Sequence, residues 1–253
     1  MTAWTRHPFR VTLRLLWLGV EVVLMTPLIY VLRCSLVSRH SARQARAAWL
    51  HICSGRILRV FGIKPSVSGP VPERGLLISN HLSYLDILVY SAITPSVFVA
   101  KRDVKSWPFF GWYATMAGTV YVHRESRLQV GEATDEIETA LEGGALVVLF
   151  PEGTSSGGKT VLPFKSSLLA PAARRKHPLH VAAIQYELDD GDVGEEVCYW
   201  KDMTLVPHVV NLASKRVIRA TVKFAPVKDA SDDRKMLAGQ LHAAVMRLRG
   251  SEF

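Results

Sequence analysis

A histidine and an aspartate stand five residues apart in Ile78-Ser79-Asn80-His81-Leu82-Ser83-Tyr84-Leu85-Asp86. Leu76 to Ser79 reads as a short buried strand, Asn80 as the break, and the pattern of Leu85, Ile87, Leu88 and Tyr90 as a helix. On a regular helix, residues five apart diverge by about 500°, or roughly 140° around the axis. Their side chains meet only if His81 lies ahead of the helix and its ring folds back over the first turn. Asp86 can then accept a hydrogen bond from one imidazole nitrogen, which fixes the tautomer and leaves the other nitrogen as a base. That is the base and orienter of a catalytic triad without the protein nucleophile, so the activated hydroxyl belongs to a substrate. Taken alone, these nine residues are also accounted for by Asn80 or Ser83 capping the helix, with His81 in a surface loop.

Two further stretches add weight to the chemical reading. Val147-Val148-Leu149-Phe150-Pro151-Glu152-Gly153-Thr154 is an apolar strand running into a turn, and Gly118 to Arg124 is an alternating strand that ends in a cation. Three strand ends thus offer a base, a carboxylate and a guanidinium. In open α/β sheets, ligands collect at strand ends of this kind.

The Asn-His-x4-Asp block, the strand ending in Arg124 and the Phe-Pro-Glu-Gly-Thr block resemble the glycerolipid acyltransferases in order and spacing, most closely the bacterial 1-acylglycerol-3-phosphate acyltransferases. The resemblance runs from about Leu76 to Glu187. Val99-Ala100-Lys101, Trp107-Pro108-Phe109-Phe110-Gly111-Trp112 and Pro163-Phe164-Lys165 support it. It implies transfer of a fatty acyl group from acyl-CoA or acyl-carrier protein to the hydroxyl of 1-acylglycerol-3-phosphate, giving phosphatidate. Carried over, His81 is the general base and Asp86 its orienter. Asn80, Lys101, Arg124, Glu152, Gly153, Thr154 and Lys165 are substrate-binding, with Arg124 on the acceptor head group. A His–Asp pair acting on an already reactive thioester contributes about 10²–10⁴-fold. Neither a covalent acyl-enzyme, a metal nor a cofactor is expected. Backbone N–H groups of the Asn80–Ser83 turn are the expected oxyanion donors.

Two departures bear on the acceptor. The family's third block continues with Arg after Thr, where this chain has Ser155. Its fourth block has a Pro in the strand, where Val181-Ala182-Ala183-Ile184 has none. Relatives that acylate lyso-ornithine lipids also lack that Arg, so O-acylation of another lysolipid such as lyso-ornithine lipid is the alternative. A non-catalytic membrane-surface lipid-binding protein is a third reading, weakened by the intact set of His81, Asp86, Arg124 and Glu152.

The chain has 253 residues, a formal charge of +9 and a pI of about 9.6. Such a balance favours anionic partners. Nucleic acid is set aside because there is no recognisable binding motif and no Lys/Arg block; positive mean hydropathy points to an anionic membrane surface. Cys34, Cys53 and Cys198 are widely spaced and read as neither disulfides nor a zinc site. His177 and His180, with Pro178 between them, read as loop residues rather than a metal pair.

The elements that must position these residues follow a simple order. Leu15 to Leu32 is the most apolar segment, broken by Glu21 and Pro27 and flanked by arginines on both sides. That flanking gives no direction by positive charge, and a helix entering one leaflet from the cytoplasmic face of the inner membrane, monotopic or single-pass, is expected. No small-x-small cleavage site follows, which argues against a signal peptide. Ser41 to Phe61 reads as a basic amphipathic helix on a membrane surface. From Lys64 strands and helices alternate, which predicts an α/β fold: a mixed β-sheet covered by helices, with an N-terminal membrane-associated two-helix segment. The expected division is 1–62 for that segment and 63–253 for the acyltransferase domain. Strands are predicted near Ser66–Ser68, Leu76–Ser79, Val97–Lys101, Thr119–His123, Ala145–Phe150, Val181–Glu187 and Arg219–Phe224. The aromatic cluster from Trp107 to Tyr113 fits a membrane interface or a core equally. The last helix, Asp232–Arg249, reads as ordinary core packing.

Overall fold

A computed structural model describes residues 7–35, 37–38, 42–107, 110–122, 127–174 and 176–250. Its centre is a seven-stranded sheet in the order β1-β7-β6-β2-β5-β3-β4. The strands are β1 (Ile63–Ser68), β2 (Gly75–Ser79), β3 (Val97–Lys101), β4 (Val120–Val122), β5 (Leu146–Leu149), β6 (Leu179–Leu188) and β7 (Ile218–Pro226). β2, β3, β4, β5 and β6 are mutually parallel, β7 runs against β6, and β1 runs with β7. The sheet is therefore mixed, as the alternating pattern predicts. β2 and β5 read as unbroken apolar runs because both of their faces are covered.

Nine helices accompany the sheet among the described residues: α1 (Pro8–Cys34), α2 (Ala42–Phe61), α3 (Leu85–Ile93), α4 (Phe110–Met116), α5 (Arg127–Glu142), α6 (Ala170–Ala173), α7 (Val193–Glu196), α8 (Leu205–Ser214) and α9 (Arg234–Arg249). Alternation along the strands divides the core into two layers. Leu77, Ala182, Ile184 and Tyr186 pack with Leu58, Leu85 and Leu212 from α2, α3 and α8. Leu76, Ile78, Val147 and Val181 pack on the other side with Ile137, Leu237, Leu241 and Val245 from α5 and α9. Each fully buried aliphatic side chain in these layers contributes about 1.5–3 kcal/mol.

The segment before β1 shares this core, since Val11, Leu58 and Phe61 lie in the first layer. α1 is continuous but carries a π turn at Glu21–Met25 just ahead of Pro27. Proline has no N–H and its ring crowds the carbonyl four residues back, so a widened turn there relieves both problems. Carbonyls along this stretch find partners on neighbouring elements: the Tyr113 hydroxyl donates to Val22 O and Trp49 Nε1 donates to Thr26 O at 2.9 Å. Glu21 is buried by a two-pronged pair with Arg56, at 2.7 and 2.8 Å, and accepts from Trp17 Nε1 at 3.0 Å. Upstream, Arg10 and Arg14 donate to the carbonyls of Ser214, Lys215 and Arg216 at the end of α8. Cations at a helix C-terminus meet the negative end of its dipole.

The face of α1 turned away from the body is apolar: Phe9, Leu13, Leu16, Val23, Leu28 and Leu32 are all exposed. α2 differs from the sequence expectation. Trp49, Cys53, Leu58, Val60 and Phe61 are buried, Arg56 is spent on Glu21, and the helix is wedged between α1 and α3 rather than laid on a surface. The Trp107–Tyr113 cluster divides. Tyr113 stacks on Trp49 at 6.3 Å, Trp107 and Trp112 are exposed, and Pro108 and Phe109 lie outside the described residues.

Candidate active site

β6 is the longest strand and runs past the end of β2, whose pairing stops at Ser79 opposite Ala182. Asn80 solves the resulting problem. Its side-chain amide donates to Ile184 O at 3.0 Å and accepts from Ile184 N at 2.9 Å, so it continues the ladder while the main chain turns out of the sheet. The side chain is fully buried and both its polar atoms are used. Asn80 thus holds the turn here, and its amide is not presented to a ligand.

The turn that follows has its backbone tied on every side. His81 N donates to Glu152 Oε1 at 2.9 Å, and Ser156 N donates to His81 O at 3.0 Å. Leu82 N and Ser83 N both donate to Asp86 Oδ2, at 2.7 and 3.0 Å, and Tyr199 N donates to Leu82 O at 2.9 Å. The expectation that the Asn80–Ser83 turn supplies oxyanion donors is corrected for three of its amides: the N–H groups of His81, Leu82 and Ser83 are already committed to two carboxylates.

The imidazole folds back over the first turn of α3. Its Nδ1 donates to Asp86 Oδ2 at 2.8 Å, as the five-residue spacing requires. The ring stacks on Phe150, with centroids 4.2 Å apart and planes 12° from parallel. Among the described residues nothing bonds Nε2, and the side chain is 20 % exposed. The ring is thus clamped at one nitrogen and open at the other. Asp86 is fully buried and accepts a fourth hydrogen bond, from the Tyr186 hydroxyl to Oδ1 at 2.7 Å. Burial and the neighbouring carboxylate push the Tyr186 phenol well above its ordinary pKa, so it stays a donor. Phe150 and Tyr186 are the site residues that sequence reasoning missed. Tyr186 lies on a predicted strand, yet nothing in its alternation distinguishes a tyrosine that touches a carboxylate from one that fills the core.

Glu152 is buried, accepting from His81 N through one oxygen and from Leu162 N through the other, at 3.1 Å. Burial pushes its carboxyl up to about 7, against the two N–H donors that favour the ionised form. Its geometry makes it a brace between the catalytic turn and the segment after the Pro-Glu-Gly turn. Gly153 takes a positive φ of 73°, which a glycine adopts without strain, and its N–H closes on Phe150 O. Thr154 and Lys165 are exposed nearby, and Lys101 is exposed at the end of β3. The Ser155 hydroxyl donates to the Tyr199 carbonyl. Arg124 lies outside the described residues. Beside the site, the Tyr84 hydroxyl pairs with His208 Nδ1 at 3.0 Å, anchoring the residue that opens α3. The described residues hold no cluster of three or more groups able to bind a metal.

A buried aspartate orients a half-open histidine, and among the described residues no nucleophilic side chain bonds its open nitrogen, an arrangement suited to activating a substrate hydroxyl. The comparisons agree. A model of the Acyltransferase family matches residues 64–186. The lyso-ornithine lipid O-acyltransferase of Brucella abortus is 36% identical over 208 residues, covering 76% of this chain and 78% of that protein. The protein of the same name from Rhizobium meliloti is 35% identical over 184 residues, covering 67% of this chain and 63% of that one, a little under two thirds of its length. The 1-acyl-sn-glycerol-3-phosphate acyltransferase of Neisseria meningitidis serogroup B is 32% identical over 203 residues, covering 75% of this chain and 76% of that protein. This chain belongs to the Acyltransferase family. Its fold matches the crystal structure of the 1-acyl-sn-glycerophosphate acyltransferase PlsC from Thermotoga maritima, with a TM-score of 0.68 over the whole of both chains at 19% identity.

Proposed function

We propose that the chain transfers a fatty acyl group from a thioester, acyl-CoA or acyl-carrier protein, to the free hydroxyl of a lysolipid. The observation that carries this is the His81–Asp86 contact at 2.8 Å with Nε2 left open. The acceptor O–H gives its proton to Nε2 as its oxygen attacks the thioester carbonyl. The tetrahedral centre then collapses, the C–S bond breaks, and the imidazolium returns the proton to the departing thiolate. Asp86, fixed by four donors, holds the Nδ1–H tautomer throughout.

For the acceptor, we favour a lysolipid without a phosphate monoester, a lyso-ornithine lipid being the named example among the relatives. Ser155 supports this reading. The family's arginine is absent there, and the hydroxyl in its place is turned onto the Tyr199 carbonyl. Lysophosphatidate is the second reading, favoured by the exposed Lys101 and Lys165 and by the Neisseria relative. The test is an acceptor panel with purified protein and one labelled acyl thioester. A kcat/KM higher for lyso-ornithine lipid than for lysophosphatidate supports the first reading, and the reverse order sinks it. Ser155→Arg should then move the ratio toward lysophosphatidate by about 1–3 kcal/mol.

In this reading residues 1–62 form the membrane-associated segment. α1 is bound to the body through Arg10 and Arg14 near one end and through Glu21 and Thr26 further on, so it lies along the body with its apolar side in one leaflet. Access to cytoplasmic thioesters puts the site on the cytoplasmic face.

A further inference from the structure

α9 ends at the edge of the sheet where His81 and Glu152 lie. β7 runs against β6, with Ile218 opposite Leu188, so β7 leaves that edge and α9 returns toward it. Midway along α9, His242 Nε2–H donates to Val161 O at 3.1 Å, and its ring meets Phe164 edge-on at 5.2 Å. Leu162, between those two residues, is one of the two donors to Glu152. Arg249 follows His242 by seven residues. On a regular helix that is about 20° around the axis and roughly 10.5 Å along it, so both side chains project from one face.

The Arg249 guanidinium lies within electrostatic reach of Glu152 and of Cys198. Cys198 precedes Tyr199, whose N–H bonds Leu82 O and whose carbonyl takes the Ser155 hydroxyl. One cation therefore approaches the site beside the position where residue 155 brings none. It is partly buried. Burial also holds its pKa below the ordinary arginine value. Partial burial weakens the solvation of a guanidinium, and an incoming acidic group offsets that cost.

We propose that Arg249 binds the acidic group, carboxylate or phosphate, of the lysolipid acceptor's head group. The proposal rests on the acyl-transfer reading above and extends it to a residue of the last helix. The planar fork of a guanidinium suits either oxyanion, and such charge-assisted pairs are among the stronger hydrogen bonds. An acidic group held there would orient the acceptor and so select which hydroxyl reaches His81.

The experiment uses the full chain in detergent with palmitoyl-CoA as donor. Three acceptors are compared: lysophosphatidate, lyso-ornithine lipid and monoacylglycerol, which has the hydroxyl but no acid. For Arg249→Gln, kcat/KM for the acidic acceptors relative to monoacylglycerol should fall by about 10–100-fold, through acceptor KM, the range for one charge-assisted hydrogen bond. KM for palmitoyl-CoA should move by less than about twofold, and Arg249→Lys should restore part of the loss. An unchanged ratio, an equal loss on all three acceptors with a lowered Tm, or a loss confined to KM for palmitoyl-CoA each overturns the proposal. If wild type prefers lysophosphatidate while Arg249→Gln still collapses the ratio, the head-group reading falls and this one stands. No transfer by wild type to either acidic acceptor overturns both.

Discussion

His81 and Asp86 are joined by one short contact, but the contact depends on residues further away. Asp86 is oriented by Leu82 N, Ser83 N and the Tyr186 hydroxyl, and His81 by Glu152 and Phe150. His81→Ala should abolish transfer while the protein still folds, and Asp86→Asn should cost less activity, since the imidazole remains without an enforced tautomer. Transfer at the wild-type rate by folded His81→Ala would dismiss the mechanism. Tyr186→Phe should destabilise the fold by about 1.5–3 kcal/mol, the value of a hydrogen bond to a charged group, and lower kcat with little change in KM. Glu152 makes a pH-dependent contribution. Its carboxyl titrates near 7 when folded and near its ordinary value when unfolded. Its contribution to stability is therefore fully present below about 4.5 and is lost as pH rises through 7, up to about 3 kcal/mol. Tm measured from pH 5 to 8 should fall more steeply for wild type than for Glu152→Gln; parallel curves would exclude the effect. The His–Asp spacing and the Pro-Glu-Gly turn were legible because each is local in sequence. Tyr186 and Ile184 were not, since their partners Asp86 and Asn80 lie 100 and 104 residues away.

At the scale of elements, the seven strands follow their apolar and alternating runs closely, and boundaries shift by a few residues at most. For β2 and β5 the reason is physical: a strand covered on both faces has no polar position to blur its signal. α2 misled for the converse reason. Its arginines read as a membrane-facing stripe, but Arg56 is consumed by Glu21 on another helix, a pairing no local pattern encodes. That pair should be the main polar lock between α1 and α2. Breaking a buried pair by removing one partner costs about 3–5 kcal/mol, and the partial exposure of Arg56 lowers this to roughly 1–3 kcal/mol. Glu21→Gln, Arg56→Gln and the double variant should show coupling by thermal melts, with the double variant less damaged than the sum of the singles. Strict additivity would mean the pair contributes nothing.

For the molecule as a whole, apolar α1 and exposed Trp107 and Trp112 make membrane partition the expected behaviour. Full-length protein should sediment with liposomes. Replacing Leu16, Val23 and Leu28 by Ser should release it while leaving Tm in detergent unchanged, because these side chains project away from the body. Recovery of unaltered full-length protein in the soluble fraction without detergent would refute this. The Glu21–Arg56 pair also has a consequence in time. When Glu21 emerges during synthesis, Arg56 is still 35 residues behind. At about 5–20 residues per second that interval lasts roughly 2–7 s. Throughout it the nascent segment is a greasy helix with an uncompensated acid, and whatever surface receives it meets a different object from the finished helix. Its final lodging is decided only when the second helix arrives with the matching charge.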